Sequence, residues 1–283
     1  MRRTALLVTA LLAGLSASGQ AARRRPPGGI EVARLVWTEG DVQLAPLIGT
    51  GPARSGWQRA ARGEALRTGD AVRTTESALA RVEFPWMEVT LGPGSTLSVP
   101  AKAVLSTVLE QGRAEFSGSG RDIVKIEVAG AEVRGGGRLV LWRTAGRTSA
   151  TALAGAFRIR SAGRSVEIKA GEGTFLSDGT PPEPATALPA SPERLKPGAE
   201  VGYVRAGRPV ELRWTSAGGS KLHHVELLAL EREEVLLARE TGGSSLQLQI
   251  PWLGTFRWRV SARDGRGLES RPSAPGVVCS VER

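Results

Sequence analysis

Asparagine is missing from this 283-residue chain, and cysteine, tyrosine and histidine are nearly missing, with one, one and two copies. Each shortage excludes something. A single cysteine, Cys279, rules out an intrachain disulfide. It lies in the apolar run 276–281 and reads as a small core hydrophobe, with an intermolecular bridge as the other reading. The two histidines, His223 and His224, are neighbours, and neighbours on a strand point to opposite faces. They are unsuited to sharing one metal and read as exposed or rim residues. Neither a Gly-x-Ser-x-Gly elbow, nor a phosphate-binding loop, nor a His-Glu-x-x-His pair is present. No catalytic residue, cofactor or metal site is therefore expected. Helical periodicity is lacking too, since no segment keeps a 3.6-residue apolar repeat over three turns. The nearest candidate, 101–111, contains Val-Leu-Ser-Thr-Val-Leu and is β-branched enough to be a strand.

With no asparagine available, turns must be built on glycine and aspartate. Glycine supplies positive φ, and aspartate hydrogen-bonds its own following backbone. Gly40-Asp41, Gly69-Asp70, Gly92-Pro93-Gly94, Gly135-Gly136-Gly137 and Asp264-Gly265 fit this role. Between such turns lie short alternating segments at 78–84, 88–91, 123–128, 138–142, 157–160 and 165–169, which predicts an all-β chain.

Charge is abundant but lopsided. The formal net charge is +10, carried by 33 Arg and 5 Lys. This ratio reflects codon bias, so the charge does not point to nucleic acid. Nine basic residues stand against three acidic ones between Gly120 and Arg164. Two readings stay open for that stretch: a solvated arginine-rich surface, or a face for an anionic polymer or lipid headgroups.

The start of the chain has three parts: Met1-Arg2-Arg3, an apolar run at 5–15, and small residues at 17–21. This is the pattern of a secretory signal peptide, expected over 1–22. Its apolar run is shorter than the roughly 20 residues a membrane helix needs. A basic Pro/Gly leader follows at 23–33. No cysteine sits by the cleavage site to carry a lipid, and no later apolar run reaches membrane length. The mature chain is expected to be soluble, in the periplasm of a Gram-negative bacterium or secreted from it.

The body divides at 177–206, where Pro181, Pro182, Pro184, Pro189, Pro192 and Pro197 cannot sit inside a sheet because proline lacks the N–H donor. This segment is expected to be an extended linker hugging a first domain at 34–176. After it, 207–283 shows longer alternating strands and predicts a small antiparallel β-sandwich. Its inward set reads Val210, Leu212, Trp214, Leu246, Leu248, Ile250, Phe256, Trp258 and Val260.

Residues 57–74, W-Q-R-A-A-R-G-E-A-L-R-T-G-D-A-V-R-T, carry a spaced Trp57, Leu66, Gly69-Asp70 and Val72. With Trp37, Gly40-Asp41-Val42, 94–99, 109–114, 128–134 and 170–174, they make 34–176 resemble the FecR domain of bacterial envelope proteins. The resemblance implies a β-roll or sandwich. The chain departs from the family at Arg134-Gly-Gly-Gly-Arg138, where Arg-Gly-Thr-x-Phe is usual, and at Pro85-Trp86-Met87. Best-known members signal across the inner membrane to sigma factors, using a cytoplasmic region and a membrane helix. Only four residues precede the apolar run here, so that role is not carried over. Val210-x-Leu212-x-Trp214 and Phe256-x-Trp258-x-Val260 make 207–283 resemble fibronectin type III or related immunoglobulin-like sandwiches, which implies a fold and no activity.

The expected function is a non-enzymatic exported binding or assembly module, with an envelope protein or cell-wall glycan as partner. A peptidoglycan- or anionic polysaccharide-binding protein is the alternative, and a glycan-active enzyme the remaining reading. Candidate contact residues are Trp86 and Trp252, each beside a proline at a turn, and Arg134, Arg138 and Arg143. A turn tryptophan either caps the end of a core or is an exposed anchor. Arg134–Arg138 reads as a tight hairpin, or as an anion-binding nest of backbone N–H groups.

Overall fold

The structure, a computed structural model, describes residues 29–46, 56–100, 106–118, 124–200, 202–216, 218, 220, 222–231 and 234–282. The expected signal peptide and residues 23–28 of the leader lie outside them. Among the described residues the fold is all-β, as the alternation predicts, and no helix is long and apolar enough to cross a membrane.

The chain begins with β1 (Glu31–Glu39), β2 (Val42–Pro46), β3 (Gln58–Arg59), β4 (Ala65–Arg67) and β5 (Asp70–Thr74). Strand β1 already includes the last residues of the expected leader. Next come β6 (Leu79–Phe84), β7 (Met87–Leu91), β8 (Thr96–Ser98), β9 (Thr107–Gly118) and β10 (Val124–Val128). Within the helix candidate at 101–111, the residues from Thr107 on are thus strand. Two long strands, β11 (Ala131–Thr144) and β12 (Arg147–Ser161), precede β13 (Arg164–Lys169), β14 (Glu172–Ser177) and β15 (Thr186–Ala187). Among the described residues these fifteen strands form one continuous sheet.

That sheet folds into two layers because three of its strands change partners midway. In β9, residues 107–109 pair with β10 and β8, whereas 112–118 pair with β11 and β7. In β11, residues 131–135 pair with β10, and 138–143 with β9. In β12, residues 147–151 pair with β14, and 156–161 with β13. Each switch falls at glycine: Gly112, Gly135–Gly137 and Gly155. At Gly155 the φ of +76° is left-handed, and an added Cβ would strike the Gly136 carbonyl across the strand. Glycine alone permits this bend at close approach. The Gly triplet is therefore a mid-strand corner, neither the hairpin nor the nest that its sequence suggested.

The inner layer runs β4-β1-β6-β7-β9-β11-β12-β14-β15, and the outer layer β3-β2-β5-β8-β9-β10-β11-β12-β13. Between them lies one apolar core. Leu35, Val82, Phe116, Leu139 and Ala152 come from the inner layer, and Leu44, Val72, Leu97, Ile126, Phe157 and Ile168 from the outer.

The last eight strands are β16 (Glu193–Lys196), β17 (Gly202–Arg205), β18 (Pro209–Thr215), β19 (Leu222–Ala229), β20 (Val235–Thr241), β21 (Ser245–Gln249), β22 (Gly254–Arg263) and β23 (Gly276–Val281). They form a sandwich of a three-stranded sheet, β16-β18-β21, on a five-stranded sheet, β17-β23-β22-β19-β20. Pairing is antiparallel except between β17 and β23. Every residue of the expected inward set joins this core, where Trp214 and Trp258 rings lie 6.3 Å apart. Across the proline-rich stretch, β15 pairs with β14 of the roll, whereas β16 and β17 take edge positions in the two sandwich sheets. Edges are where missing N–H donors cost least. Cys279, read as a core residue, is half-buried instead, and accepts a 3.5 Å contact from Thr255 Oγ1.

Candidate functional site

The five-stranded sheet has two covered faces. One faces the sandwich core. The other lies against the inner layer of the roll, on the side away from the roll's own core. On β9, Ala114 and Phe116 point into the roll, so Arg113 and Glu115 point out of it. On β22, Trp258 and Val260 point into the sandwich, so Arg259, Ser261 and Arg263 point out. Among the described residues, buried charge concentrates in the seam where these outward sets meet.

Arg113 and Glu269 are fully buried there and make a two-pronged ion pair, Nε to Oε2 and Nη2 to Oε1, both at 2.9 Å. Ser261 donates to Glu269 at 2.6 Å. Arg259 donates to Glu226 at 2.6 Å, and His224 Nε2 lies 3.2 Å from the other Glu226 oxygen. Arg113 Nη1 is 3.9 Å from Glu226, which joins the two pairs. Arg263 stacks 3.7 Å from the Trp142 ring and donates to Glu240 at 2.7 Å. At the far end Arg81 pairs with Glu234, and Arg239 with Glu39 at 3.1 Å. An apolar patch of Trp37, Leu79, Leu228, Val235 and Ala238 closes that end.

The electrostatics follow from burial against pairing. Burial opposes ionisation of Glu269, but Arg113, with His224 and Arg263, outweighs it and holds the carboxyl at about 2. Burial likewise disfavours charge on Glu226, yet Arg259, His224 and Arg113 keep it well below the usual carboxylate range. Glu88, at the seam's edge, differs. Burial, with Glu83 and Glu115 nearby, raises its pKa against the pull of Arg81.

Three clefts open along the seam. The largest, about 500 Å³, is mixed in charge, lined by Arg81, Arg138 and Arg259 with Glu83, Glu88, Glu115 and Glu234. A second, about 290 Å³, is lined by Arg138, Arg257, Arg259 and Arg271, and by no carboxylate. A third, about 270 Å³, lies beside Trp142, where Arg147 and Arg266 each sit 4.4 Å from the Phe175 ring.

The residues proposed from sequence do not gather in one place. Trp86 packs against the roll core with its ring 5.6 Å from Phe84. Trp252 packs against the sandwich core, 6.3 Å from Phe256. Arg134 is exposed and bonds Glu132 on its own strand. Arg143 is held bidentate by Asp178 and donates to the Glu110 carbonyl. Arg138 alone reaches the seam, where Glu115 holds it and two clefts share it. The basic excess at 120–164 is partly balanced: Lys125 and Arg134 pair with Glu132, and Arg158 with Glu167.

Sequence reading missed the seam itself. His223 and His224 do point to opposite faces, but both are buried instead of lying at a rim. His223 sits edge-on to Trp214 and bonds Ser216, and burial lowers its pKa against the pull of backbone bonds. Arg113 and Glu269, 156 residues apart, carried no local signal of each other.

No protein-family model matches the chain, and comparison with curated proteins gives no match. Among solved structures, the chain is similar to one described as an anti-sigma factor from Parabacteroides distasonis, with 12% identity and a TM-score of 0.36. That alignment covers 41% of this chain and 59% of the other, so the match spans little over half of the relative. A second is the extracellular domain of a protein described as a one-component system from B. thetaiotaomicron, at 9% identity and a TM-score of 0.24, covering 72% and 30%. A third is a fungal alcohol oxidase in complex with copper, at 11% identity and a TM-score of 0.21, covering 89% and 98%.

Proposed function

We propose that this chain is a non-catalytic binding or assembly module of the bacterial cell envelope, exported to the periplasm or beyond. Its first part would be a FecR-like roll and its second a fibronectin type III-like sandwich. The observation that supports this reading is the seam. A general acid or base must exchange its proton near working pH. Glu269 and Glu226 instead stay ionised far below neutrality, spent on locking two bodies into one. Such a rigid pair of bodies suits presentation of surface to a partner. Affinity recovery from envelope extracts tests the reading. Enrichment of a defined envelope protein or glycan is expected, and recovery of neither from a folded bait overturns it.

A second reading, binding of peptidoglycan or another anionic polysaccharide, is favoured by the arginine-lined cleft. Co-sedimentation with purified cell-wall material should fall as salt rises, because exposed charge pairs are screened. Absence of binding at low salt removes this reading.

A further inference from the structure

The two ends of the five-stranded sheet differ. At one end, β20 is tied to the roll, where Arg239 bonds the Ser77 carbonyl and Glu39. At the other end, β17 has only β23 beside it among the described residues. Ala206, just past β17, donates its N–H to the Val281 carbonyl. Alternate residues of an edge strand turn their polar backbone groups to opposite sides. Gly202 and Val204 therefore face β23 as Ala206 does, and Tyr203 and Arg205 turn their groups to the open side. Unpaired N–H and C=O groups along an edge are a template for another strand.

The side chains beside this edge are apolar and uncovered. Tyr203 is 74% exposed, and Val281 and Leu253 are exposed as well. Strand register places them together. Tyr203 stands beside Cys279, Arg205 beside Val281, and Thr255 on the other side of Cys279. Gly254 pairs with Ser280, so Leu253 extends the register to Val281. All lie on the outward face of the sheet, because Phe256 and Val278 point into the core. The same face meets the roll farther along β22, and the exposure of these residues shows that the roll does not reach them. The other large exposed hydrophobics, Ile30 and Leu230, lie outside strands.

Edges are commonly guarded by charge. Here the guarding charges have opposite signs at the two ends. Glu200 precedes β17, whereas Arg205 ends it and Arg208 follows, and all three are exposed. A second β17 laid antiparallel would set Glu200 of each copy toward the arginine end of the other. A parallel one would set like ends together, which is unfavourable.

We propose that β17 is a dimer interface, at which two copies of this chain pair their β17 edges antiparallel about a two-fold axis and join their five-stranded sheets into one. Tyr203 of each copy lies opposite Arg205 of the other, because these residues carry the open groups and can exchange both backbone bonds. The ring then meets the guanidinium group, a favourable cross-strand contact. Each copy offers the same patch, so association closes at two. The pairing goes beyond the envelope role proposed above and does not depend on it.

Sedimentation equilibrium of the full chain over a range of concentrations tests this. A monomer–dimer equilibrium is expected, unchanged by reductant. Tyr203→Ser should weaken dimerisation by about tenfold, because the two-fold axis removes its contact twice. Glu200→Arg should weaken it too, by making both ends of the strand basic. Adding Arg205→Glu and Arg208→Glu to Glu200→Arg reverses both ends and should restore part of the loss. Since these residues are exposed, thermal unfolding of each monomeric variant should match that of the unmodified chain. A monomer at every concentration overturns the proposal. So does a dimer that survives Tyr203→Ser and Glu200→Arg at full strength, or an assembly larger than two. A dimer lost on reduction belongs to a Cys279 disulfide and overturns it as well. A monomeric chain that still recovers an envelope protein or glycan leaves the proposed function standing without the dimer.

Discussion

Strand β9 faces two interiors made of opposite materials. Ala114 and Phe116 enter the roll core, where the neighbours are Leu139, Val89 and Leu141. Arg113 and Glu115, one step along, enter the seam, where the neighbours are Glu269, Glu226 and Arg138. The roll core needs apolar side chains of about the right volume, with some freedom in which ones. The seam admits a narrower set, because each buried charge needs its partner in place. The core thus explains that the roll folds, whereas the seam fixes where the sandwich sits on it. Hydrophobic burial is non-directional, while a two-pronged Arg–Glu pair works in one geometry.

The sharpest break between the two comes from paired substitutions. Phe116→Ala should destabilise by about 3–5 kcal/mol through lost burial and a cavity. Arg113→Met should cost about the same, for a different reason, because it strands Glu269 as a buried unpaired charge. The double variant Arg113→Met/Glu269→Leu separates them. It should recover much of the loss, since replacing a buried ion pair by apolar residues is often neutral or better. Urea midpoints of the three variants check this. A double variant as unstable as Arg113→Met alone would mean that the seam depends on charge itself.

Acid offers a gentler break. Glu269, held at about 2, and Glu226, also depressed, contribute stability that is present above the ordinary carboxylate pKa of 4.5. That contribution is lost as pH falls from 4.5 toward 2. Glu88 and Glu39 have the opposite sign: burial raises their pKa, so protonating them as pH falls relieves them. Buried His223, whose pKa is lowered, works against them as pH falls through 6.5, because the unfolded chain takes up that proton first, so the thermal midpoint should change only gently between neutral pH and 5. It should then drop below 4.5. In Glu269→Gln the drop should be shallower, because one of the carboxylates that drives it is gone. A midpoint that falls more steeply between pH 7 and 5 than below 4.5 would place the controlling groups elsewhere.

The same contrast explains what could be read from residues alone. The sandwich core was legible because β18 alternates exposed and buried strictly, with Val210, Leu212 and Trp214 on the inward face. Period-two burial with aromatics announces itself locally. The seam was not legible, because His224 and Glu226 on β19 occupy outward positions that normally face water. Their burial depends on a second body and on partners far along the chain, and no local window contains those. Gly135–Gly137 misled for a related reason. Three glycines signal a turn, and only the pairing of β11 with β10, then β9, shows that one strand continues through them around a corner. Of the proposed contact residues, Arg138 alone faces the seam.

The smallest expected effect marks the outer limit of the comparison. Arg134 and Arg138 lie four residues apart on β11 and looked equivalent as members of one Arg-Gly-Gly-Gly-Arg motif. The corner between them gives them different surroundings. Arg138 is one-third exposed and bonds Glu115, which is itself only 11% exposed. Arg134 is 55% exposed, and its partner Glu132 is 33% exposed. Hydrogen bonding to Arg134 lowers the Glu132 pKa, yet water screens a pair at such a surface. Arg134→Ala should therefore change the unfolding free energy by less than about 0.5 kcal/mol. It should leave co-sedimentation with cell-wall material unchanged, because Arg134 does not line the arginine cleft. Loss of binding in Arg134→Ala would shift the site from the seam onto the outer layer of the roll, and with it the basis for linking recognition to the docking of the two bodies.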